Sequence, residues 1–247
     1  MLRTASKITP NFQDLLKLIA IVTMLFDHMG LFFYHDNTWL RLIGRFSMPI
    51  FLFFAGYNYY RVKQSEGFKC WIINERYRKL LALGIALQSI LLIYFPDITM
   101  LNVLISILIG LTMIDVIEQV KLPFVFLHFI CFALVFSNSI ELFDYGTIGT
   151  GFVILGYTKR DIQDKNFGLF LLTWLLALSF LAQKILSLSY TQNLMLLLES
   201  IILFLCFYYA DLNREYNNRI LLVSRYLLPI YFWHFVTFTI VAWYLYG

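Results

Sequence analysis

Two histidines lie inside long apolar runs, His28 in LLKLIAIVTMLFDHMG and His234 in PIYFWHFVTF. An imidazole titrates near neutrality, so it can take a proton from an attacking nucleophile, return it to a leaving group, or hold an acyl group in passing. Polar groups are costly in apolar surroundings, which makes each one a candidate for chemistry. Lys17 and His28 are eleven residues apart, so on a helix they share a face to within about 20° and are separated by about 16 Å of rise. Asp27 is turned about 100° from His28 and is expected to meet Arg41 or Arg45, whose guanidinium would keep a desolvated carboxylate charged. Asn102, Asp144 and Tyr145 open later apolar runs and offer amide, carboxyl and phenol groups, of which the donors suit a developing oxyanion. Each residue also has a plainer reading. A lone histidine can tie two helices, Lys17 can snorkel to an interface, and Asp27 with its arginine can be structural glue. His35, in a loop, and His128, without an ionisable neighbour, rank below the first two.

The elements that must hold these groups are set by composition. Of 247 residues 60% are hydrophobic and only 14% charged, with mean hydropathy +0.74, too apolar for a water-soluble domain of this length. Surface that faces lipid requires helices or a closed barrel, and long apolar runs without period-two alternation exclude the barrel. At about 20 residues per crossing, the expected fold is all-α, a single polytopic domain of about nine transmembrane helices. The spans run approximately Leu15 to Tyr34, Leu42 to Tyr60, Leu80 to Phe95, Met100 to Ile117, Leu122 to Phe136, Tyr145 to Tyr157, Phe167 to Leu186, Leu194 to Ala210 and Tyr226 to Tyr246. With that alternation, all of the nineteen Lys and Arg residues except Arg41, Arg45 and Lys184 fall on one side. Positive charge stays inside, so the N-terminus is expected in the cytoplasm and the C-terminus outside, in a bacterial inner membrane. The net charge of +4 then reflects orientation and anionic lipid rather than nucleic acid. The first apolar run lacks a small-residue cleavage site and reads as a retained helix. Cys70, Cys131 and Cys206 lack metal-ligand spacing and are odd in number, so free thiols and no metal are expected.

Five segments in register carry a resemblance. The run DLLKLIAIVTMLFDHMG from Asp14 to Gly30, followed by WLRLIGRFSMPIFLFFAG from Trp39 to Gly56, resembles the N-terminal signature of TraX-type proteins, with its Lys, DH pair and GR-x-x-x-P-x-F segment. LNVLISILIGL from Leu101 is similar to the family's Asn-containing helix, DYGTIGTGFVIL from Asp144 to its (D/S)YG-x-x-G element, and PIYFWHFVTF from Pro229 to its terminal Tyr-x-x-His helix. TraX-type proteins resemble in turn a wider group of membrane acyltransferases that includes the heparan glucosaminide acetyltransferase. The resemblance implies transfer of acetyl from acetyl-CoA to an amine, the N-terminus of a conjugative pilin. It maps function onto Lys17, Asp27, His28, Arg45, Asn102, Asp144, Tyr145 and His234. In that lysosomal acetyltransferase and its relatives the catalytic histidine lies in the loop after the signature helix, and this resemblance keeps His35 as the alternative.

The expected mechanism makes His28 the base or a transient acetyl acceptor, with Asn102, Tyr145 or His234 bonding to the thioester carbonyl or the acceptor. Phosphates of acetyl-CoA would lie on the basic loop containing Arg61, Lys63, Lys69, Arg76, Arg78 and Lys79, and the pantetheine arm would thread along the Lys17 to His28 face. Two other functions fit the same residues. One is acetylation of a cell-envelope sugar, and the other is a non-enzymatic transport or assembly subunit, which would show broken helices in two symmetric halves.

Overall fold

A computed structural model describes residues 9–34, 37–66, 74–94, 102–121, 123, 126, 128, 146–159, 164–186 and 188–246. These residues form nine α-helices: α1 Phe12–Phe32, α2 Thr38–Arg45, α3 Ser47–Glu66, α4 Glu75–Tyr94, α5 Val103–Val120, α6 Gly146–Thr158, α7 Asp164–Leu186, α8 Tyr190–Tyr208 and α9 Leu227–Tyr246. A 3₁₀ helix, Arg219–Tyr226, leads into α9. The fold is all-helical and multi-pass, and among the described residues six segments are long and apolar enough to cross a membrane. These are α1, the α2–α3 run, α4, α5, α8, and the 3₁₀ helix with α9. The expected fifth span lies almost wholly outside the described residues.

Helix ends follow from side chains. Asn11 and Asp14 form a reciprocal capping box at the start of α1, with the Asp14 amide donating to Asn11 Oδ1 at 3.1 Å and the Asn11 amide to Asp14 Oδ2 at 3.2 Å. Ser189 and Gln192 repeat the device at α8. The expected second span is two helices, broken at Phe46. Pro49 explains the break, because it lacks the N–H that would bond the Arg45 carbonyl and its ring crowds that carbonyl. Ser47 Oγ caps the end of α2 by donating to Gly44 O at 2.7 Å.

The core lies around α6. Its residues 148–158 are all buried, and α3, α5 and α7 pack against it. A helix apolar on every side belongs inside a bundle. At 13 residues it spans only about 20 Å, short of a bilayer core. Close approach to α3 depends on two glycines. A Cβ on Gly56 would strike the Val153 carbonyl, and one on Gly156 the Phe53 carbonyl. Small residues are how helices come together where lipid gives no hydrophobic drive. The same device seats α2 on α1, where Gly44 lies against the backbone and side chain of Asp27 and Gly30 faces Leu40 and Arg41.

Candidate functional site

His28 sits sixteen residues into α1 and His234 seven residues into α9, and the two helices bring their rings together. Nδ1 of His28 lies 2.6 Å from Nε2 of His234. The ring planes differ by 12° with centroids 4.8 Å apart, which is the nitrogen separation plus two ring radii, so the imidazoles meet edge to edge in nearly one plane. Nδ1 of His234 is 2.9 Å from the carbonyl oxygen of Ile230, one turn earlier in α9. This chain fixes the hydrogens. A carbonyl only accepts, so Nδ1 of His234 carries a hydrogen, and Nε2 of the neutral ring accepts from Nδ1–H of His28. Nε2 of His28 is left as a bare lone pair, and no described residue hydrogen-bonds it.

Aromatic rings fix the dyad sideways. Phe235 meets His28 edge-on at 5.0 Å, Phe32 at 6.2 Å, and Phe238 meets His234 at 5.6 Å. Tyr231 touches both imidazoles. His28 is 9% exposed, so its ring has little freedom outside this box.

Asp27 forms an ion pair with Arg41, Nη1 to Oδ1 3.5 Å, across the close α1–α2 contact. Arg45, also buried, lies at the end of the same short helix. Lys17 places Nζ 5.0 Å over the Phe54 ring of α3, away from the dyad, so its ammonium is not aligned with His28 against one neighbour. Asn102 caps α5, accepting from the Leu104 amide at 3.1 Å. Its two amide hydrogens go to Gly84 O at 2.8 Å and Gln88 Oε1 at 3.1 Å, tying α5 to α4 and leaving no donor for an oxyanion. His128 accepts from the Trp174 indole at 3.0 Å and stacks on Phe170. His35, Asp144 and Tyr145 lie outside the described residues, as does the side chain of Arg76.

The basic loop divides. Arg61, Arg78 and Lys79 are exposed, with Lys79 paired to Glu75 at 2.8 Å. That hydrogen bond holds the Glu75 carboxyl below its usual value. Lys63 turns inward instead. It lies 2.6 Å from Asp115 Oδ1 and is paired with Glu118, while Tyr59 donates to Asp115 at 2.5 Å and Tyr157 to Glu118. Lys63 is 4% exposed, so it offers nothing to a phosphate at the surface. This cluster was missed by sequence reasoning. The signal was two acids one turn apart, Asp115 and Glu118, in an apolar helix that needs a cation near them. Among the described residues no three His, Cys, Asp or Glu side chains gather as metal ligands.

The sequence profile of the TraX protein family matches residues 12–242, from the first residue of α1 to within the last turns of α9. The chain belongs to the TraX family. An uncharacterized protein of Rickettsia prowazekii (strain Madrid E) is 34% identical over 153 residues, which is 61% of this chain and 56% of that protein. The match thus spans little more than half the length of that relative. No solved structure matches the chain. Family and fold agree on a multi-pass membrane protein whose His28 and His234 come from the two ends of the TraX region.

Proposed function

We propose that this TraX-family chain is an integral-membrane acetyltransferase of the bacterial inner membrane, moving acetyl from acetyl-CoA to an amine, most specifically the N-terminus of a conjugative pilin. The observation that carries the proposal is the hydrogen-bond chain from the Ile230 carbonyl through His234 to His28, because it delivers one bare imidazole nitrogen of defined tautomer. An acyl transfer to nitrogen needs such a base.

In this mechanism the acceptor amine attacks the thioester carbonyl and Nε2 of His28 takes the proton that the nitrogen sheds. The C–S bond then breaks, and the imidazolium returns that proton to the thiolate. Amide and free thiol result, with no net proton gained. The charge that forms on His28 is shared with His234 through the short N···N bond, and the Ile230 carbonyl steadies its far end. Tyr145, and Asp144 beside it, are assigned to the thioester carbonyl and the acceptor. The Asp27–Arg41 pair holds α2 over this end of α1, with Arg45 beside it. Acetyl-CoA phosphates would lie on Arg61, Arg76, Arg78 and Lys79 at the cytoplasmic side, with Lys63 excluded by its burial.

Labelled acetyl-CoA with purified protein in liposomes, with a pilin N-terminal peptide or an amino sugar as acceptor, tests the proposal. Transfer should occur with the wild type and fail with His28→Ala. Full activity in His28→Ala together with loss in His35→Ala would overturn the assignment of the base, and transfer to the sugar alone would replace pilin by an envelope acceptor.

A further inference from the structure

The dyad requires two helices from opposite ends of the chain to keep one longitudinal register. Aromatic contacts between α1 and α9 hold the rings sideways, but they are non-directional along the axis, and interhelical polar bonds are what singles out one register where lipid is equally apolar. Helices that slip come to rest one turn away, about 5.4 Å along the axis, and a displacement of even half that takes a 2.6 Å nitrogen pair beyond hydrogen-bond length. Something polar must hold the pair in step.

The structure holds that device at the other end of the same two helices. Arg225, at the end of the 3₁₀ helix that feeds α9, forks onto Asp14 in the first turn of α1, with Nη2 to Oδ2 2.8 Å and Nε to Oδ1 3.5 Å. Nη2 also donates to the Thr9 carbonyl at 3.3 Å. Asp14 cannot follow a sliding partner, because its carboxylate is locked in the capping box with Asn11. The backbone completes the joint. Phe12 N donates to Arg214 O at 2.9 Å and Tyr216 N to Pro10 O at 2.8 Å, pairing residues 10–12 with 214–216, while Gln13 bonds Asn213 at 3.3 Å. From this joint α1 runs unbroken for fourteen residues to His28.

We propose that Asp14 and Arg225 are positioning residues that set the register of α1 against α9 and thereby close the His28–His234 bond. The inference rests on the dyad being the working site, but its test does not require activity. In a full-length protein whose Cys70, Cys131 and Cys206 are replaced by serine, F33C and F238C put one thiol at the end of α1 and one on α9, at two positions whose rings now meet with centroids 5.1 Å apart. Copper-phenanthroline oxidation in liposomes reads the register as a cross-linking rate. Arg225→Glu is expected to slow it at least about fivefold, Arg225→Met less, and Arg225→Lys to keep most of the wild-type rate. In the transfer assay the same series should lower kcat and leave KM for acetyl-CoA unchanged. If Arg225→Glu cannot be inserted, Arg225→Met against Arg225→Lys carries the comparison. Equal cross-linking in all variants overturns the proposal. Responsive cross-linking in a protein that transfers no acetyl keeps the register device and removes the enzymatic reading.

Discussion

His234→Ala tests the tautomer argument most directly. In the wild type Nδ1–H of His28 is held by Nε2 of His234, 2.6 Å away, and this leaves Nε2 of His28 bare. Without His234, the tautomer with hydrogen on Nε2 is no longer disfavoured by a lost bond. A neutral hydrogen bond is worth about 1 kcal/mol, so the reactive tautomer should fall about fivefold in population relative to its competitor. Loosening of the ring in its aromatic box adds to the loss, and kcat should drop by roughly ten- to thirtyfold. His28→Ala removes the base itself and should cost about 10²- to 10⁴-fold. Because the two act as one unit, His28→Ala with His234→Ala should be no slower than His28→Ala alone. His234→Gln retains an acceptor oxygen and should recover part of the loss. Initial rates of label transfer at saturating acetyl-CoA read all four variants. Multiplying losses in the double variant would refute the relay, since they would mean that each histidine serves separately.

Other contacts give equally definite expectations. Gly56→Ala puts a methyl against the Val153 carbonyl and should destabilise the α3–α6 pair by about 1–3 kcal/mol, read as a lower thermal midpoint in detergent. Lys63→Met withdraws the ammonium from between Asp115 and Glu118 and should cost about 3–5 kcal/mol, whereas Arg61→Gln at the exposed surface should leave stability within about 0.5 kcal/mol. Asn102→Ala loses both the cap and the bonds to Gly84 and Gln88, and should lower stability by about 1–3 kcal/mol without acting on the chemical step. Arg61→Gln with Arg78→Gln should raise KM for acetyl-CoA severalfold, most at low ionic strength, with kcat unchanged. An unchanged KM would take the donor phosphates off this surface.

Several of these elements were legible in the chain itself. Hydropathy marked the runs that became α1, α4, α5, α8 and α9, because a membrane demands continuous apolar length. Pro49 accounts for the break before α3, but the apolar pattern runs through it, so the second span read as one helix and the separate α2 was hidden. Asn102 could be seen as a polar residue at the head of α5, but whether its amide faced a reactant or its own helix depends on Gly84 and Gln88, which only the fold brings near. Charge counting assigned Lys63 to a loop with its neighbours. The helix instead continues to Glu66, and its last turns carry Lys63 inward to Asp115 and Glu118. Spacing along α1 could not say which neighbour each residue faces. Lys17 and His28 share a side of the helix by rotation, yet one packs on α3 and the other on α9.

The polar side chains of this bundle divide by what their bonds leave over. Asn102 spends both amide hydrogens and an acceptor lone pair on backbone and Gln88, and Asp14 spends both oxygens on Arg225 and its own helix start. Lys63 is clasped by two carboxylates, each of which also takes a phenol hydrogen. Such groups add directional placement to what close packing provides. The dyad differs in kind. A bond between two helices needs one donor and one acceptor, and His28 and His234 supply that with one nitrogen of His28 unspent. A serine or an asparagine would serve placement alone. An imidazole whose second nitrogen is kept bare by a relay ending on a backbone carbonyl, with no hydrogen bond to it from any described residue, is placed to accept a proton. That surplus, more than burial, separates His28 from the other polar residues of the fold and makes it the place to look for bond-making.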